Sequence, residues 1–75
     1  MAFELEGSWL AVSVTHITMQ VITGTVAVIG PNVTHIKTGM EITVKKEGAF
    51  RYIDQETKQK FLIVEEKNIV SIISK

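Results

Sequence analysis

With 75 residues, the chain has room for one domain, since a second core would not bury enough apolar surface to offset its own ordering entropy. Lys and Arg together number 8, as do Asp and Glu, so no net charge draws the protein to nucleic acid or an anionic membrane. The absence of cysteine excludes disulfides, thiolate metal sites and thiol catalysis, and it fits an intracellular setting in which so small a domain gains stability from neighbouring subunits.

The opening Met1-Ala2-Phe3-Glu4-Leu5-Glu6-Gly7 lacks the basic start and apolar run of a secretion signal, so it reads as part of the mature fold. No apolar run approaches the roughly 20 residues that cross a bilayer, and a soluble, cytoplasmic protein is expected. Leu10, Val12 and Val14 alternate with Ala11 and Ser13, the pattern of a half-buried strand, with Trp9 beside it as a core or interface anchor. Ile17, Met19 and Val21 alternate with Thr18 and Gln20 and predict a strand in the same way. Thr25-Val26-Ala27-Val28-Ile29 is apolar enough to be covered on both faces, which marks it as the central strand.

Met40, Ile42 and Val44 alternate with Glu41, Thr43 and Lys45, and the polar residues 54–60 are expected to form the tip of a wide hairpin. Phe61-Leu62-Ile63-Val64 and Ile69-Val70-Ser71-Ile72-Ile73 supply two closing strands, and the four residues between them suit one helical turn. Gly7-Ser8, Gly24, Gly30-Pro31-Asn32, Gly39 and Glu47-Gly48 punctuate these segments with turn chemistry, so short strands at even spacing predict a barrel or a sandwich. An apolar strand at 69–73 left unpaired would template aggregation, so it must pair within the fold or with another subunit.

Three motifs, in order, carry a family resemblance. Gly24-Thr25-Val26-Ala27-Val28-Ile29-Gly30-Pro31 resembles the Gly-x-Val-x-x-Val-Gly-Pro segment of the small co-chaperonins. Ile36-Lys37-Thr38-Gly39-Met40-Glu41-Ile42 is similar to that family's Val-Lys-x-Gly-Asp-x-Val strand entry, with Met40 where Asp is usual. The stretch 61–73 resembles its closing strands and the short acidic turn between them. The resemblance covers residues 24–73 well and 9–14 weakly. It implies an all-β, small single-domain GroES-like β-barrel over residues 1–75, with a barrel core over about 8–73, that assembles into a homo-oligomer and acts in protein folding or assembly.

The departures from the family narrow that implication. The family's long docking loop for the large chaperonin follows the first strand, yet only residues 15–23 separate Val14 from Gly24. The roof hairpin after the Gly-Pro turn is reduced to Asn32-Val33-Thr34-His35. Ring assembly is therefore expected more than chaperonin capping. Any remaining chaperonin contact falls to Ile17, Met19, Val21 and Ile22, and the oligomer interface to Phe3, Leu5, Trp9, Ile69, Val70, Ile72 and Ile73, with Ala2 to Leu5 or Ile69 to Ile73 expected to add as a strand to a neighbour's edge.

Chemistry-bearing residues are sparse. His16 and His35 sit in an internal echo, Val14-Thr15-His16-Ile17 and Val33-Thr34-His35-Ile36, but two imidazoles with no cysteine are an incomplete metal set. Glu4, Glu6, Glu65 and Glu66 read as solvated charge, and no phosphate loop or nucleophile motif appears, so neither enzyme nor cofactor is expected. Lys45, Lys46, Arg51, Tyr52, Lys58 and Lys60, with Phe50, outline a stacking and basic face for single-stranded nucleic acid. Interrupting acids make that the weaker alternative, and a phage or virion component built on the same barrel is the other.

Overall fold

The computed structural model describes residues 3–74. The strands are β1 (Trp9–Ile17), β2 (Val21–Ile29), β3 (Glu41–Lys45), β4 (Phe50–Ile53), β5 (Lys60–Glu65) and β6 (Ile69–Ser74), with one 3-10 turn at Glu66–Asn68. They form a single antiparallel sheet in the order β4-β5-β1-β2-β3-β6. The chain is thus a small all-β domain, and it corrects the closure expected of a barrel: β4 and β6 end the sheet and do not pair with each other among the described residues.

The open sheet is nevertheless strongly curled. Six strands laid flat would form a slab about 24 Å wide and about 10 Å thick, whereas the shortest dimension of the molecule is 22 Å. The curl encloses Leu10 and Val12 of β1, Ile22 and Val26 of β2, Ile42 and Val44 of β3, and Leu62 and Val64 of β5 in one cluster. Ile36 and Met40, from the connection into β3, cap it. Ala49, next to β4, and Ile69, which begins β6, both pack on this cluster, so the two ends of the sheet converge on the same core.

Two bulges set which side chains face inward. Ala27 has no partner in the β1–β2 register, where Val12 faces Val26 and Ala11 faces Val28, so the inward parity of β2 shifts from Val26 to Ile29. A bulge, rather than cover on both faces, therefore explains the continuous apolar run that predicts a doubly covered central strand. The second bulge, at Thr15, turns Ile17 to the same face as Ile22. β1 extends through Ile17, and Thr18-Met19-Gln20 forms a hairpin turn in place of the strand read from alternation. Thr18 closes that turn, its N–H and hydroxyl both donating to Val21 O at 2.9 and 3.2 Å. Gly24, read as a turn residue, lies within β2.

Two glycines of the resembling motifs have physical reasons to be there. A Cβ on Gly30 would stand 2.5 Å from Gly7 O and 2.9 Å from Glu6 O, so only glycine lets the end of β2 lie against the 6–9 turn. Gly39 has φ +92°, which L side chains adopt at a cost, and its N–H donates to Val26 O at 2.8 Å.

Candidate interaction surfaces

Three surfaces draw together the residues singled out in the sequence. The first is the tip of the β1–β2 hairpin. Met19 stands 92% exposed at its apex with Ile17 exposed beside it, and Val21 is half-buried. Ile22 belongs to the core at 4% exposure, which removes it from the expected chaperonin contact. Lys46 N–H donates to Gln20 O at 3.1 Å, tying the turn to the end of β3.

The second surface is the β6 edge. Among the described residues β6 pairs with β3 alone, in a register that matches Ile42 with Ile72 and Val44 with Ile69 and leaves Val70 and Ile73 as bulge residues. Val70, Ile72 and Ile73 are exposed, whereas Ile69 turns into the core. Two bulges in six residues break the regular spacing of edge donors and acceptors, a common guard against uncontrolled strand addition.

All five aromatic residues collect on the third surface, the outer side of β4, β5 and β1. The Phe3 ring lies 4.7 Å from that of Tyr52 and 5.5 Å from that of Phe61, and Trp9 lies 5.8 Å from Phe50. Beneath them Phe61 and Ala11 are buried outside the main core. The ring of Phe3, expected at an interface between subunits, is engaged within its own chain, and Leu5 is half-buried beside it. Residues 3–6 form no strand, and Ala2, the start of the N-terminal segment expected to add to a neighbour, lies outside the described residues.

The pieces of the nucleic-acid alternation separate. Arg51 pairs with Leu62 and so faces inward, whereas Phe50 and Tyr52 alternate with it and point to the outer face. Their rings are occupied by Trp9 and Phe3. Stacking platform and guanidinium thus lie on opposite sides of β4.

The two histidines do not meet. His16 sits near the hairpin tip, while His35 N–H donates to Glu66, whose own N–H donates to Ser8 O beside the start of β1. The eight-residue rise of β1 between those ends is roughly 25 Å. Among the described residues no three His, Cys, Asp or Glu side chains are placed to hold a metal ion.

Two acids hold backbone, one of them Glu66, which the sequence reads as solvated charge. Glu66 Oε2 accepts the backbone N–H groups of Thr34 at 3.2 Å and His35 at 3.1 Å, anchoring the connection between β2 and β3. Asp54 is 1% exposed and organises the β4–β5 turn, accepting from Glu56 N–H and from the Thr57 hydroxyl. Glu65 remains at the surface, 3.7 Å from Lys67.

A feature absent from the sequence reading is a groove of about 670 Å³ on the inner side, between the β1–β2 hairpin and β4. Lys46, Arg51 and Lys60 line it over an apolar floor, and no carboxylate does. The alternation of Arg51 with Phe50 and Tyr52 was legible in the sequence, but the bulge that turns Ile17 and the curl that brings these residues together were not. No family model matches this sequence, and no curated protein matches it.

Proposed function

We propose that this protein is a self-associating structural subunit with a co-chaperonin-like fold, acting in protein assembly and not as a catalyst. One observation supports the reading above others: among the described residues no strand pairs with the far edge of β6, where Val70, Ile72 and Ile73 stand exposed. Burying those side chains against a neighbour, while its backbone meets the free edge, gains apolar contact and hydrogen bonds together. The bulges at Val70 and Ile73 favour one geometry of pairing over indefinite stacking. Two glycines that carry part of the resemblance also have physical reasons to be there, Gly30 at a close backbone approach and Gly39 at a positive φ. Native mass measurement tests this: a closed oligomer supports it, and a monomer at every accessible concentration removes it.

The hairpin tip favours a second, compatible role. Met19 and Ile17 present a flexible thioether and an aliphatic side chain on a turn held by Thr18, which suits an apolar groove on a large chaperonin. Co-elution with a chaperonin in the presence of nucleotide, lost on Met19→Ser, supports that contact. Without co-elution, the assembly role, as in a phage or virion particle, is the one that stands.

A further inference from the structure

The groove beside β4 shares Ile17 with the hairpin tip, but its cations belong to neither the β6 edge nor the tip. The protein as a whole balances 8 cationic against 8 acidic residues. The groove does not: three of those cations line it with no acid among them, above Val14, Ile22 and Leu62. Its volume of about 670 Å³ lies within the roughly 300–1,000 Å³ of clefts that accept ligands.

β4 adds a directional element. Among the described residues it pairs only with β5, which leaves its other backbone edge free of a strand. Arg51 pairs with Leu62 and Ile53 with Lys60, which places Arg51 and Ile53 two residues apart on the inner face. A strand added along this edge would set an inward side chain opposite each of them. An acid opposite Arg51 and an aliphatic side chain opposite Ile53 complement the charge and the apolar floor at once. Lys46 and Lys60 then favour further acids nearby.

We propose that the free edge of β4 and its groove bind an extended segment of another protein in which an acidic and an aliphatic residue stand two positions apart. A small anionic amphiphile would use the cations and the floor but leave the β4 backbone unmatched. Segments of a second copy fit poorly. β6 carries no acid, and in Phe3-Glu4-Leu5-Glu6 both acids fall on one face and both apolar residues on the other.

The test titrates the intact protein with the capped peptide Glu-Thr-Val-Thr-Glu-Thr and follows backbone amide resonances, with native mass recorded on the same sample. Saturating shifts are expected at β4 and at Ile17 and Ile22. Arg51→Glu/Lys60→Glu, at two exposed positions, should weaken binding by about tenfold or more. A peptide with Lys in place of Glu should bind the double variant better than the original protein. The proposal is overturned if shifts are absent or fall on β6, if both proteins bind the acidic peptide equally, or if decanoate shifts the groove amides and the peptide does not. Since binding is read by amide shifts at β4 and self-association is expected at β6, native mass reports on assembly separately from this binding.

Discussion

Ile72 stands directly opposite Ile42 on the β3–β6 pair, yet Ile42 is sealed in the core while Ile72 is 44% exposed. Same residue, same face: the difference is that no strand among the described residues lies on the far side of β6. Ile42→Ala should therefore destabilise the fold by about 2–5 kcal/mol through a core cavity. Ile72→Lys should change subunit stability little but disperse the oligomer, as read by urea unfolding and native mass. An oligomer unaffected by Ile72→Lys places the interface elsewhere.

The carboxylate of Glu66 holds two backbone N–H groups of the β2–β3 connection. Glu66→Ala should cost about 1–3 kcal/mol, with faster hydrogen exchange at Thr34 and His35. Unchanged exchange there would show that the connection holds itself.

At the end of β2, the Cβ added by Gly30→Ala meets three carbonyl oxygens, those of Gly7, Glu6 and Trp9. Backbone cannot swing aside as a side chain would, so a loss of about 1–3 kcal/mol is expected in thermal or urea unfolding. A neutral result would mean that the 6–9 turn moves freely away from β2.

The β4–β5 turn offers one change in each direction. Lys58 has φ +62°, a conformation costing a non-glycine residue about 1–2 kcal/mol. Lys58→Gly should raise the stability by up to that amount, less the added chain entropy of glycine, and with it the unfolding midpoint. Asp54→Ala removes the acceptor for Glu56 N–H and the Thr57 hydroxyl and should lower stability by about 1–3 kcal/mol. If neither variant shifts the midpoint, the turn is not coupled to the cooperative unit.

Much of the secondary structure was legible because alternation reports which face of a strand is covered. Leu10, Val12, Ile42, Val44 and Val64 are all fully buried, as their spacing predicts. The helical turn at Glu66–Asn68 and the hairpin over residues 54–60 also follow from local chemistry. Residues 17–21 misled because alternation continues through a hairpin apex as readily as along a strand, and only the Thr18 hydrogen bonds distinguish the two.

By itself the sequence determined a single all-β domain and most of its strand-forming segments, since these rest on local pattern and backbone sterics. The tertiary structure alone decided that the sheet stays open, that Ile22 is core while Ile72 is not, and that Lys46, Arg51 and Lys60 share a groove. Those outcomes depend on pairing order, bulge positions and curl, which bring together residues far apart in the chain.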